Sequence, residues 1–236
     1  MPALPDIQIE HFRSEGYVVV DDIISPEEVL DPLEAEYATV LDRLASELFE
    51  GGQISSTYAG MPLSERLTRV YQDSGKVHAG YFDFSLPQRG IKWDTPMWHG
   101  PAVFNVLTAP SLLDAVESII GSEVYSNPVQ HVRMKPPEHM VPKDDSGHVQ
   151  LGATPWHQDL GVVTAEADDT EMLTAWIPVW DANEEDGCLH LVPWSHQEGL
   201  AFHCAGPNAA TPGLHIPDDQ FRIDDAMPVP MKRGSI

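Results

Sequence analysis

The spacing of apolar residues changes at Gly121, and this restricts the chain to folds that set helices beside a group of short strands. Residues 6 to 15 read as a short helix stopped by Gly16, and Tyr17-Val18-Val19-Val20 reads as a buried strand. Ser25-Pro26-Glu27-Glu28 is a helix start, with Ser25 as N-cap, Pro26 at the first helical position and Glu28 completing a capping box. Val29, Leu33, Tyr37, Val40, Leu41, Leu44 and Leu48 then recur at helical spacing as far as Gly51-Gly52, which predicts a long amphipathic helix with a kink at Pro32. Leu63, Leu67 and Val70 mark another helix. Two more run from about Ala102 to Leu107 and from Ser111 to Ile120. Apolar stripes of this kind are core faces rather than partner-binding faces.

Beyond Gly121 the chain breaks into strand-like runs at 124–135, 156–163, 172–180 and 189–192, with a fifth beginning near Met227. Short strands with turn-rich connections predict a mainly-β sandwich or barrel flanked by the N-terminal helices. Residues 136–153, rich in Pro, Asp, Gly and Lys, form a long loop and the candidate lid over a site. There is no internal repeat and no linker, so residues 1–236 are expected to form a single domain.

Charge then limits the partners. The chain carries 37 Asp+Glu against 13 Lys+Arg, a formal net charge of −24. That leaves too few cations for a basic stripe along nucleic acid and disfavours anionic membrane surfaces. Cys188 and Cys204 make no disulfide framework, and the start MPALPDIQIEHF lacks the basic and apolar regions of a signal peptide. No apolar stretch is expected to approach the roughly 20 residues of a membrane span. These features predict a soluble, cytoplasmic, acidic protein whose 11 histidines invite a search for metal ligands.

Thr154-Pro155-Trp156-His157-Gln158-Asp159-Leu160 carries the chemistry. On a strand, His157 and Asp159 project to the same face with Cα atoms roughly 6 to 7 Å apart, so an imidazole nitrogen and a carboxylate oxygen can converge on one ion. Such a pair supplies two ligands of the 2-His-1-carboxylate triad, which leaves positions open on Fe(II) for a bidentate 2-oxo acid and O2. Leu173-Thr174-Ala175-Trp176-Ile177-Pro178-Val179 alternates as a strand able to face the same cavity.

PWHQDL at 155–160, LTAWIPV at 173–179 and DGCLHLVPWSHQEGL at 186–200 together resemble the phytanoyl-CoA dioxygenase family of Fe(II)- and 2-oxoglutarate-dependent oxygenases. The opening HFRSEGYVVVDDIISPEEV and the run Val132-Arg133-Met134-Lys135-Pro136-Pro137 resemble it too, so the likeness extends from about residue 9 to the end. It implies a double-stranded β-helix, a cupin-like jelly roll, with N-terminal helices. It also implies that His157 and Asp159 bind the iron and serve catalysis. Trp176 matches a position lining the 2-oxoglutarate site, or is a core aromatic. His131 matches a position that contacts the cosubstrate, and Lys92 either reaches the cosubstrate or is solvated. Ser195-His196 matches a turn at the rim of the site, so His196 is not assigned to iron, and His203 and His215 read as polar loop residues.

The family's second iron-binding histidine and its 2-oxoglutarate-binding arginine match nothing up to Ile236 and are expected beyond it. The segment ending in Ser235-Ile236 is accordingly expected to lack the partner strands of a jelly roll. The activity implied is hydroxylation of a small organic substrate coupled to conversion of 2-oxoglutarate and O2 to succinate and CO2. The rival reading is a non-catalytic cupin-like binding protein, or an inactive fragment without the second histidine. A hydrolase is disfavoured by the absence of a Gly-x-Ser-x-Gly elbow and of a His-Glu-x-x-His helix.

Overall fold

The computed structural model describes residues 4–85, 98–126, 131–163, 170–205 and 214–236. Its helices are α1 (Asp6–Glu15), α2 (Asp31–Glu50), α3 (Leu63–Ser74), α4 (Ala79–Phe82), α5 (Pro101–Leu107) and α6 (Pro110–Ile120). Its strands are β1 (Asp83–Ser85), β2 (His131–Arg133), β3 (Leu189–Leu191), β4 (Cys204–Ala205), β5 (Leu214–His215) and β6 (Met227–Val229). They form three antiparallel pairs, β1 with β2, β3 with β6 and β4 with β5. No described strand exceeds three residues, so the described residues are not mainly β as expected. The residues group into two compact units, each built from separated stretches of chain.

The first unit comprises Met1–Leu30, Leu107–Val124 and Thr154–Ile236. Helix α1 ends where predicted, because Gly16 takes a φ of +86° that side chains resist and its N–H closes on Phe12 O. Ser25 Oγ accepts the Glu28 N–H at 3.1 Å, the predicted N-cap. The Leu30 N–H then reaches Ser25 O at 3.4 Å, a wider π-type turn over Pro26–Leu30 that precedes α2. Pro32 has no N–H to offer Glu28, so α-type bonding does not run unbroken through this point. Leu4, Val20 and Ala115 form a core cluster with Ile9, Val18, Ile23, Ile119 and Ile236 packed around it.

The segment Tyr17–Val20 is not a regular strand, yet it has a partner. Val20 and Ile236 exchange two backbone hydrogen bonds of 3.0 Å, and the Ile23 and Ile24 N–H groups both reach Gly234 O. Farther back, Met231 pairs with Ala182 and β6 with β3. The final run is therefore paired with Val20, Ile23, Ile24 and Ala182, and through β6 with β3. Ser235 is fully buried and donates to Asp21 Oδ1 at 2.8 Å. Gly234 has a φ of +87°, and a β-carbon there would lie 2.6 Å from Ile24 O. Gly234→Ala should cost about 2 kcal/mol, from the left-handed conformation and the backbone clash together. Urea unfolding should show a lower midpoint with an unchanged slope.

The second unit comprises Asp31–Val106 and Tyr125–Ala153. Leu33, Tyr37, Val40, Leu41, Leu44, Ala45 and Leu48 form the buried stripe of α2, and Leu67, Val70 and Tyr71 that of α3. Phe82, fully buried, lies with its ring centroid 5.8 Å from that of Tyr37. Burial, and secondarily the charge of Glu36, pushes the Tyr37 phenol well above its ordinary value. The strand expected over 124–135 is confined, among the described residues, to β2. The candidate lid at 136–153 is tied to its own unit. Gln150 receives the Val77 N–H and donates to Gly75 O and Lys143 O, and Lys135 Nζ donates to Gly152 O.

Pro101–Ile120 has the length and apolar composition of a membrane span, which overturns the expectation that no such stretch exists. The chain divides it at Thr108-Ala109 into α5 and α6, with Pro110 opening the second helix.

Candidate metal centre

The strand expected at 156–163 is interrupted by a 3-10 turn, Asp159–Val162. The Gly161 N–H closes on Gln158 O at 2.9 Å, while the adjoining Trp156 O accepts the Ile216 N–H at 2.7 Å. The Trp156 ring packs on Phe221 with centroids 5.2 Å apart. Residues 155–158 are thus anchored on one side and turned sharply on the other. The strand premise was wrong over this stretch, but its consequence survives by another route, since His157 Nε2 lies 3.3 Å from Asp159 Oδ1.

Hydrogen bonds on the far atom of each side chain select which atom faces the other. His157 Nδ1 lies 2.7 Å from Pro155 O, and a carbonyl can only accept, so Nδ1 carries the proton. The lone pair of a neutral His157 is then on Nε2, directed toward Asp159. Thr174 Oγ1 donates to Asp159 Oδ2 and leaves Oδ1 toward the histidine. A backbone carbonyl behind the imidazole and a hydroxyl behind the carboxylate are the supports that orient metal ligands. The separation suits adjacent ligand atoms on one ion, which lie roughly 3 Å apart when the bonds are about 2.1 Å. Imidazole and carboxylate are a donor pair suited to Fe(II). With 33% and 40% of the side chains exposed, the pair faces solvent and is accessible to a cosubstrate. These two residues fit two corners of an iron site. Among the described residues, no third His, Cys, Asp or Glu completes a cluster with them.

The other expected site residues lie on several elements. Trp176 belongs to the first unit, half-buried in a stretch without regular structure, so the strand expected over 172–180 does not form there. Thr174, on that same stretch, is the contributor that sequence reasoning missed. Only the short offset of its run from the histidine motif pointed toward it. His131 lies on β2 in the second unit, where its Nδ1 accepts from Arg133 Nη2 at 3.1 Å. Lys92 lies outside the described residues. His196 has a structural role, donating from Nε2 to Arg13 O at 3.0 Å, with its ring against Gly16, where a β-carbon would come within 2.3 Å of Nδ1. His215 is on β5, paired in register with Cys204.

A model of the family "Phytanoyl-CoA dioxygenase (PhyH)" matches residues 12–236 and so runs through both units. The chain is also similar to "Phytanoyl-CoA dioxygenase domain-containing protein 1" of Danio rerio, at 24% identity over 248 residues, covering 99% of this chain and 81% of that protein. The family is generally built on a cupin-like jelly roll, and its members generally use Fe(II), 2-oxoglutarate and O2. With a family match over nearly its whole length and the His-x-Asp pair oriented as metal ligands are, the chain belongs to the phytanoyl-CoA dioxygenase family.

Proposed function

We propose that this chain is an Fe(II)- and 2-oxoglutarate-dependent dioxygenase that hydroxylates a small organic substrate, with residues 1–236 as one family domain on a double-stranded β-helix core. The observation that carries this reading is the 3.3 Å approach of His157 Nε2 to Asp159 Oδ1, with Pro155 O and Thr174 Oγ1 holding the far atom of each side chain. Iron with 2-oxoglutarate and O2, when bound, supplies oxidative decarboxylation coupled to insertion of oxygen into a C–H bond. His157 contributes a neutral nitrogen whose tautomer is set in advance. Asp159 contributes a negative oxygen that offsets part of the metal's charge. Because both supports are already in place, ligand orientation costs little further reorganisation on metal binding. Trp176, His131 and Lys92 are proposed as cosubstrate contacts on the strength of the resemblance alone.

The net charge of −24 weighs against a polyanionic substrate unless a local basic patch forms, because the summed field repels it. The protein should release succinate from 2-oxoglutarate only with added Fe(II), and a chelator should stop the release. Turnover that persists in full without metal would refute the assignment. Tight metal binding with no decarboxylation would favour a binding protein instead.

A further inference from the structure

The residue between the two ligands is held by the segment 199–203. Gln158 makes three hydrogen bonds to the segment 199–203. Its backbone N–H donates to His203 Nε2 at 3.0 Å, its side-chain Nε2 donates to Gly199 O at 3.0 Å, and its Oε1 accepts the Ala201 N–H at 2.7 Å. On the other side of the ring, His203 Nδ1 lies 2.9 Å from Ala201 O, a carbonyl that can only accept. Nδ1 therefore carries the proton and Nε2 is the acceptor, so His203 is a neutral ring with both nitrogens in use. The ring also lies against Gly161. A β-carbon at Gly161 would come within 2.2 Å of Cε1, 2.5 Å of Nδ1 and 2.6 Å of Nε2. Gly161 is the residue whose N–H closes the turn on Gln158 O.

We infer that His203 is a positioning residue for the metal-binding turn. It accepts the backbone N–H of Gln158, the residue between His157 and Asp159, and its ring packs on the glycine that closes the turn. The bond fixes the backbone of the residue that joins the two ligands, and the ring's contact with Gly161 fixes the turn that follows, so together they restrain the 3.3 Å spacing. Both of its nitrogens are committed, which makes His203 a support for the ligands and not a ligand. The inference rests on the metal reading above for its consequence, whereas the contact itself is testable without metal.

Two measurements separate these parts. The first is hydrogen exchange at the Gln158 amide in the metal-free protein. His203→Phe keeps a ring of similar size but offers no acceptor, and should speed that exchange at least about 10-fold by removing the bond. His203→Gln restores an acceptor near the Nε2 position and should recover most of the protection. The second is a Co(II) titration followed by the absorption of the bound ion. His203→Phe should weaken Co(II) binding by about 10 to 100-fold, the usual loss for a residue that supports a ligand, and His203→Gln should recover most of the affinity. Should His203→Phe fail to fold by circular dichroism, Gly161→Ala displaces the ring with His203 intact and should weaken Co(II) in the same way. Unchanged exchange and unchanged Co(II) affinity in the folded His203→Phe variant, or in Gly161→Ala, would overturn the inference. Normal exchange behaviour alongside a wild-type protein that binds no Co(II), or binds it equally well as His157→Ala, would overturn the metal reading and with it the positioning role.

Discussion

His157→Ala should abolish metal binding and 2-oxoglutarate turnover while leaving the fold intact. The substitution removes the imidazole nitrogen that faces Asp159 Oδ1, and a lone monodentate carboxylate held by Thr174 cannot retain a transition ion against water. Loss of a supporting residue costs about 10 to 100-fold in metal affinity, and loss of a ligand should exceed that range. The His157 side chain is one-third exposed, and its described hydrogen bond is to the neighbouring Pro155 O, so little core packing goes with it. Metal content of the purified variant and succinate release should both fall to background, with an unchanged circular dichroism spectrum. Asp159→Asn is the companion test. It keeps the shape beside Thr174 and removes the charge, and should lose most of the affinity. A His157→Ala protein that still holds one equivalent of Fe(II) and turns over would end the assignment of this centre.

Phe82→Ala should produce the largest loss of stability. Phe82 is 0% exposed and packs between the rings of Tyr37, at 5.8 Å, and Tyr81, at 6.3 Å. Truncating a buried phenylalanine costs about 3 to 5 kcal/mol, from lost transfer energy and from the cavity left where neighbours relax only in part. The backbone bond from the Met134 N–H to Phe82 O does not depend on the side chain and should survive, so the damage is one of packing. At about 2 to 4 °C per kcal/mol for a chain of this size, the melting temperature should drop by roughly 10 °C. The drop should be smaller in Phe82→Leu, which refills most of the volume. A melt within 2 to 4 °C of wild type, about one kcal/mol, would show that Phe82 is not part of the core.

The helical half was legible because its signals are local. Ser25 caps Glu28 three residues away, Gly16 and Gly121 end their helices where side chains resist the backbone conformation or chain direction, and the α2 stripe from Leu33 to Leu48 is buried as its spacing predicts. The strand half was less legible. The sequence marked the neighbourhoods of β2, β3 and β6, but not that 156–163 turns after Gln158 or that 172–180 lacks regular structure. A short apolar run states that a segment is buried, while strand or turn is decided by which distant backbone offers hydrogen bonds.

The site divides in the same way. From the sequence alone came the family, the proposed donors His157 and Asp159 as a spaced pair, and the net charge of −24. The tertiary structure decided the tautomer of His157, the carboxylate oxygen left facing it, and the support of the turn by Thr174, Gly199, Ala201 and His203. Ligand type is a property of one side chain and can be read at one position. The orientation of Asp159 and the support of the turn are properties of hydrogen bonds that close over 15 to 45 residues, and only the folded chain brings those partners to within 3 Å of one another.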